Sequence, residues 1–146
     1  MMLRFNQRVE AAYARVLRDY PEASVLVADG HASAGLVTDP SAIDGLRVTC
    51  LAGAIAVAVE ETGYGRFSEP AATDAPAGAR PLQWPVEMDL NDADRLKEQF
   101  GYTEPYARVR LWHPPGVHFP VYEFGGNPTV GDVVVDSVSQ QVRERR

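Results

Sequence analysis

Two histidines and a glutamate near the C-terminal end are the residues of this chain best suited to chemistry. His113 and His118 flank Pro114-Pro115-Gly116-Val117, and Glu123 follows five residues later. Two imidazoles and a carboxylate are able to ligate a metal or exchange protons. Their spacing matches no metal signature, and the prolines favour a rigid strand connection with histidines at its rim. A site at these three residues is the alternative. The leading expectation is a chain without a metal or cofactor.

Ser33 and Cys50 do not lie in the setting that a catalytic nucleophile needs. The segment from Gly30 to Gly35 has the spacing of a hydrolase nucleophile elbow on one side of Ser33, but His31 stands where that motif has its first glycine. Cys50 lies in an apolar run, where loss of hydration raises the pKa of a thiol and suppresses the reactive thiolate. We interpret the first as a small-residue turn and the second as a buried small hydrophobe.

Aromatic and basic side chains share one face of the strand predicted from Tyr106 to Trp112. Such a stripe suits single-stranded nucleic acid, and aromatics with arginine also dominate protein-binding hot spots. Acidic residues on the following strands can neutralise the two arginines across the sheet. These residues are Glu123, Asp132 and Asp136. We predict a protein-binding or self-associating face, and nucleic acid is the less favoured alternative. The predicted interface consists of Tyr106, Arg108, Arg110, Trp112, His113 and His118.

The composition fits one acidic globular domain. The chain has 146 residues, 45% of them hydrophobic, which is enough for a single core. It carries 14 basic against 20 acidic residues, and the resulting net charge of -6 repels nucleic acid at long range. We expect one domain over residues 1–146.

The sequence favours a cytoplasmic protein without a membrane segment. Cys50 is the single cysteine, so the chain cannot form an intramolecular disulfide. Asn6 and Gln7 interrupt the N-terminal stretch where a secretory signal needs an apolar core. The longest apolar run, Cys50 to Val59, is shorter than the about 20 residues that a membrane-spanning helix needs.

The N-terminal half is predicted to combine a helix with short strands. Apolar residues recur every three or four positions from Phe5 to Tyr20, with Arg8 between them, which predicts an amphipathic helix. Ser24 to Ala28 is typical of a strand, and Asp29-Gly30 is typical of a hairpin turn leading to Val37.

The stretch that follows is ambiguous between helix and strand. Leu46 to Leu51 alternates apolar and polar residues, as a half-buried strand does. The alanine-rich segment from Ala52 to Thr62 is predicted to form a buried helix that ends at Gly63. Its β-branched residues keep a strand alternative open, because periodicity alone does not separate short buried helices from strands.

Four prolines and five alanines mark Glu69 to Pro85 as an irregular connection. A structureless stretch of this length is unusual inside one domain. We expect it to be the most mobile internal segment. It serves either as a lid or as a linker between possible subdomains at residues 1–68 and 86–146.

The C-terminal half predicts a helix followed by a three-stranded meander. Leu90-Asn91-Asp92 opens the helix and Gly101 ends it, with Leu96 and Phe100 expected against the sheet. The strands are predicted at 106–112, 119–124 and 130–138. The order of helix, strand, turn and strand also occurs from Phe5 to Val37, so a duplicated unit is possible.

This C-terminal half resembles a PepSY-type repeat. Its helix ends in Gly101-Tyr102, and strands with the sequences ARVRLW, PVYEF and VVVDSVSQQV follow. The similarity covers roughly Leu90 to Val142 and includes Tyr122, Glu123 and Asp136. Members of that family are mostly non-catalytic modules of secreted or membrane proteins, some of them in protease propeptides. This chain differs from those members in that we expect it to have no export signal. The resemblance implies a helix-on-sheet binding module and transfers no active site.

Taken together, the residues favour an α+β fold with helices packed on an antiparallel β-sheet. The predicted function is that of a non-enzymatic module acting through protein contacts in a regulatory, inhibitory or assembly role. The alternative is a small-molecule or metal-dependent enzyme with its pocket between the sheet and the proline-rich connection, using His113, His118 and Glu123.

Overall fold

The structure, a computed structural model, describes residues 3–145 and shows two helices and one nine-stranded antiparallel sheet. In chain order the elements are α1 (Phe5–Asp19), β1 (Ser24–His31), a 3-10 turn (Pro40–Ala42), β2 (Gly45–Ala52), β3 (Ile55–Gly63), β4 (Arg66–Phe67), β5 (Ala71–Thr73), α2 (Leu90–Gln99), β6 (Arg108–Trp112), β7 (Val121–Gly125), β8 (Asp132–Asp136) and β9 (Val142–Arg145). The strand order is β4-β3-β2-β1-β6-β7-β8-β9, and β5 also pairs with β3. The predicted α+β fold is confirmed.

The centre of the sheet is the antiparallel pair of β1 and β6, in which Val27 lies opposite Trp112 and His31 lies opposite Arg108. From this pair, β2 and β3 extend to one side, and β7 and β8 extend to the other. Each half therefore has a helix followed by strands that proceed outward from the centre. A duplicated unit would give this arrangement, and the duplication itself stays a prediction.

Both helices pack on the same face of the sheet and cover the main core. α1 contributes Val9, Ala12 and Val16, as its three-and-four spacing predicts, and the sheet contributes Leu111 and Tyr122. All five are fully buried. Each fully buried valine or leucine contributes about 1.5 to 3 kcal/mol relative to an exposed one, so this contact fixes which face of each strand is internal.

Arg8 is an exception to the amphipathic pattern, because it is buried instead of lying on the polar side of α1. Its guanidinium binds both carboxylate oxygens of Glu61, and its Nη1 donates to the Ile43 carbonyl at 2.7 Å. The Gly65 amide donates to the same carboxylate at 3.0 Å. The charged pair therefore ties α1 to β3 and to the turn before β2.

The hairpin predicted at Asp29-Gly30 is wrong, because β1 continues through these residues to His31. Pairing with β2 on one side and β6 on the other keeps the backbone extended. Glycine is needed at position 30 because a Cβ there would lie 2.6 Å from the Ile43 side chain. Val37 forms an isolated bridge with Tyr106 instead of a strand.

The helix predicted from Ala52 to Thr62 is also wrong, and the strand alternative is confirmed as β3. Gly53 adopts a φ of +65° in the tight turn that connects β2 to β3, a conformation that glycine adopts without strain. Val57 and Val59 are buried in the main core, where β-branched side chains suit a strand paired on both sides.

The proline- and alanine-rich connection is irregular as predicted, except that Ala71–Thr73 form β5 and Arg80 forms a single bridge. We call residues 74–88 the strap. Ala79 packs against the apolar cluster that contains Trp112. The Arg80 amide donates to the His113 carbonyl at 3.0 Å, and the amide of the buried Leu82 donates to the Val25 carbonyl at 2.7 Å. These anchors favour a packed segment over the mobile one expected from its composition.

The predicted helix from Asp92 to Phe100 is confirmed as α2, with a different buried face. Asp89 takes the N-cap position, and Gly101 with a φ of +91° ends the helix. Leu96 is half-buried against the main core, whereas Phe100 is 55% exposed, so its predicted packing is wrong. The reason is that the buried face, spaced at three and four, consists of Leu90, Ala93, Asp94 and Lys97.

Candidate functional site

The face of the sheet opposite the helices, which we call the open face, carries a row of alternating charges. Asp29 lies directly opposite Arg47 on one side and Arg110 on the other. The row continues from Arg47 to Glu60 and from Arg110 to Glu123. We call these five residues the charge row. It crosses five neighbouring strands with the signs minus, plus, minus, plus, minus.

Short ion pairs hold the basic side chains of the open face. Arg110 Nε lies 2.7 Å from Asp29 Oδ1, and Arg47 Nη1 lies 3.4 Å from Glu60 Oε1. Glu123 pairs with Arg145 of β9 at 3.1 Å. In these ion pairs four arginines, counting Arg108, are matched by four acidic groups.

The predicted pairing of the stripe with acidic neighbours is confirmed for one arginine. Arg108 lies 3.7 Å from Asp132, whereas Arg110 binds Asp29 instead of Glu123. Asp136 instead accepts the amides of the turn after β8. A platform for single-stranded nucleic acid needs cations that are free for phosphates. The carboxylate partners of Arg108 and Arg110 compete with phosphates for these cations, and the nucleic-acid alternative stays a prediction.

Trp112 lies on the open face, as the strand alternation predicts, but the expectation that it is exposed is wrong. It is 8% exposed and packs in a second apolar cluster. Its buried neighbours there are Leu26, Val27, Val121 and Val134. The strap runs over this end of the sheet and places Ala79 against the cluster. Sequence alternation does not detect such a cover.

Tyr106 is misplaced by the sequence prediction, because it lies in the main core and not on the face of Arg108 and Arg110. It is 2% exposed, and its ring meets Phe124 edge-on with the centroids 5.0 Å apart. β6 begins at Arg108, and the backbone of Tyr106 pairs with Val37. The strand alternation therefore does not extend back to this residue.

Tyr106 adjoins a buried charged pair on α2. Lys97 Nζ donates to the Tyr102 carbonyl at 2.8 Å and lies 3.8 Å from Asp94 Oδ1. The ammonium also lies 5.3 Å from the centroid of the Phe124 ring. Burial raises the pKa of Asp94, and the neighbouring Lys97 offsets part of that rise.

The raised pKa of Asp94 predicts a pH dependence of stability. A carboxyl whose pKa is higher in the folded state stabilises the fold fully below its unfolded pKa, and this contribution is lost as pH rises through the folded pKa. The free energy of unfolding of the wild type should therefore fall relative to that of Asp94→Asn across this window. Denaturant titrations from about pH 3 to about pH 7 measure the difference. A difference that stays constant over that range contradicts the prediction.

The three residues of the alternative catalytic or metal site do not meet. His113 Nε2 lies 2.9 Å from the Val117 carbonyl oxygen, and His118 lies on the exposed rim of the loop. Glu123 lies in the charge row, bound to Arg145. Within residues 3–145, no group of three or more His, Cys, Asp or Glu side chains is placed to hold a metal. The three residues of the metal alternative are therefore not brought together, and the alternative itself stays a prediction.

Within residues 3–145, neither candidate nucleophile is hydrogen-bonded to a histidine. Ser33 Oγ donates to Asp44, and the Ser33 amide donates to the same carboxylate at 2.9 Å, which together lower the pKa of Asp44. A triad needs the serine hydroxyl to bind histidine, and His31 instead lies against Gly45. Cys50 is buried, and burial raises the pKa of its thiol to about 12, as predicted.

Sequence reasoning missed the N-terminal part of the charge row. Arg47 alternates with apolar neighbours in β2, which was a visible signal that it faces away from the core. Its pairing with Asp29 and Glu60 depends on strand neighbours and register. Neither was predicted, because Asp29 was assigned to a turn and Glu60 to a helix.

Within residues 3–145, neither helix is long and apolar enough to cross a membrane. In the comparisons with known proteins, no protein-family model matches the chain, and neither a curated protein nor a solved structure is significantly similar to it. The PepSY-type resemblance consequently stays a prediction.

Proposed function

We propose that the protein is a non-enzymatic binding module that contacts another protein through the open face, in a regulatory, inhibitory or assembly role. The charge row is the observation that carries this proposal. Five charged residues in direct register, on the side of the sheet opposite both helices, form an ordered surface instead of a scattered polar one. The reducing cytoplasm is the compartment that a single buried Cys50 fits.

An alternating row of charges suits selection among partner proteins. Complementary charges across an interface fix its register and reject wrong partners, because like charges brought together cost several kcal/mol. The side chains remain accessible, since Arg110 and Asp29 are each 37% exposed and Glu60 is 64% exposed. Arginine is also enriched among binding hot spots. A partner with the opposite order of charges is the expected match.

A second copy of the chain satisfies the same rule when a two-fold axis runs between two neighbouring strands of the charge row. A two-fold axis parallel to the strands and midway between β1 and β2 would set Asp29 against Arg47 of the second copy and Arg110 against Glu60. An axis along a strand would instead bring like charges together. An axis midway between β1 and β6 would likewise set Asp29 against Arg110 and Arg47 against Glu123. Self-association through the open face therefore requires an axis between strands.

The proposal is tested by affinity capture from native cell extract with three tagged baits. These are the wild type, Arg110→Ser and Arg18→Ser, the last being a matched loss of an exposed arginine on α1. Arg110→Ser should keep its stability to within about 1 kcal/mol, because exposed ion pairs contribute little. The expected result is a protein captured by the wild type and Arg18→Ser and lost with Arg110→Ser.

Sedimentation of the same three proteins tests whether the partner is a second copy. Concentration-dependent dimers of the wild type that Arg110→Ser abolishes would support that form of the proposal. Equal capture by all three baits would contradict the assignment of the open face. If the wild type neither captures a protein nor forms dimers, the binding function is contradicted.

A further inference from the structure

A groove of about 830 Å³ lies at one end of the sheet and shares none of its lining residues with the charge row. Three segments and one residue of α2 form it. They are the end of the strap from Gln83 to Met88, the loop from His113 to Pro120, the turn from Ser137 to Gln140, and Asp92. Grooves of about 300 to 1,000 Å³ with apolar walls and a few polar groups are typical ligand sites. This groove is therefore a second candidate site.

The walls of the groove include apolar side chains, some of which are exposed to solvent. Trp84 and Met88 line it from the strap and also pack against the main core. Phe119 and Val138 line it from the other segments and are 39% and 57% exposed. Exposed apolar residues gathered at one concave place mark contact sites more often than scattered ones do.

The charged residues that line the groove are all acidic. Glu87 and Asp92 contribute carboxylates, and no lysine or arginine occurs among the described lining residues. Asp92 Oδ1 lies 3.6 Å from Arg95 Nη1, so Glu87 is the better candidate for a ligand contact. The whole chain carries a net charge of -6, which adds to the negative potential there. An anionic ligand would be repelled, and a cationic one would be attracted.

We propose that the groove binds an arginine side chain from an extended segment of a partner polypeptide, with an apolar residue next to that arginine. A guanidinium stacks on aromatic faces and forms paired hydrogen bonds with a carboxylate, which matches Trp84 or Phe119 together with Glu87. The neighbouring apolar residue would cover Val138. Because the groove is much larger than one guanidinium, an extended segment fits it better than a small cation.

The test is calorimetric titration with the blocked peptide acetyl-Gly-Leu-Arg-Leu-Gly-amide and with the same peptide carrying citrulline, the neutral isostere of arginine. The expected result is one-to-one binding of the arginine peptide, about tenfold weaker binding of the citrulline peptide, and a change in tryptophan fluorescence because Trp84 lines the groove. Equal affinities, or no binding of the arginine peptide, would overturn the proposal. Methylguanidinium binding as tightly as the peptide would overturn the assignment to an extended segment.

Two variants localise the binding. Glu87→Gln should weaken the arginine peptide about tenfold and leave the citrulline peptide unchanged, because only the charged contact is lost. Glu10→Gln is the matched control, since it neutralises an exposed glutamate on α1. Phe119→Ser should weaken both peptides. Undiminished binding of the arginine peptide by Glu87→Gln and Phe119→Ser would show that the peptide binds elsewhere and would overturn the proposal.

Discussion

Glu61→Gln is expected to lower the free energy of unfolding by about 3 to 5 kcal/mol, because it leaves the buried Arg8 guanidinium without its counterion. The side chains of Arg8 and Glu61 are 5% and 3% exposed, so water cannot replace the lost charge. The substitution preserves shape, which separates loss of charge from loss of packing. Denaturant titration at neutral pH measures the change.

The control for this prediction is an exposed ion pair on the same helix. Arg15 and Asp19 lie 3.3 Å apart, with the Asp19 side chain 49% exposed. Asp19→Asn should therefore cost less than about 1 kcal/mol. If Asp19→Asn and Glu61→Gln lower the free energy of unfolding by similar amounts, burial does not determine how much the pair of Arg8 and Glu61 stabilises the fold.

Trp112→Ala is expected to lower the free energy of unfolding by about 3 to 5 kcal/mol, the usual cost of removing a large buried aromatic side chain. The ring fills the apolar cluster between the open face and the strap, beside Val27 and Ala79. Its loss should also loosen the strap, so trypsin should cleave after Arg80 faster in the variant than in the wild type.

Phe100→Ala is the matched control, because Phe100 is 55% exposed and lies beyond the buried face of α2. It should change stability by less than about 0.5 kcal/mol. If Trp112→Ala changes the free energy of unfolding as little as Phe100→Ala does, Trp112 is exposed, as strand alternation alone predicts. The strap would then not cover the cluster.

Local patterns in the sequence predicted the elements whose structure is determined by residues close to them in the chain. The three-and-four spacing from Phe5 to Tyr20 predicted α1, and the alternation around Val109 and Leu111 predicted β6. Both elements are amphipathic, so the apolar face of each one shows which side packs against the core. The segment at Ala52–Thr62 failed because a strand buried on both faces and a buried helix have the same apolar composition.

Long-range contacts explain most of the remaining errors. Asp29-Gly30 has the composition of a turn, yet pairing with both β2 and β6 extends it. Arginine is a residue type that usually faces solvent, yet Glu61, 53 residues away, gives Arg8 a buried partner. The cover of Trp112 likewise comes from a strap distant in sequence.

The candidate site was predicted in part. Arg108 and Arg110 lie on the open face as expected, because they occupy the non-core side of an amphipathic strand. Tyr106 and Trp112 are buried instead. His113 and His118 line the groove and do not join the arginines in one surface. The predicted interface residues are therefore divided among the open face, the core and a separate groove.

Carboxyl footprinting of the captured complex, by carbodiimide labelling and mass spectrometry, tests the central claim most directly. Asp29 and Glu60 report on the open face, and the exposed Glu10 and Asp19 report on the opposite side of the molecule. The account predicts that labelling of Asp29 and Glu60 falls on complex formation, while labelling of Glu10 and Asp19 is unchanged. Protection of Glu10 and Asp19 with undiminished labelling of Asp29 and Glu60 would contradict it.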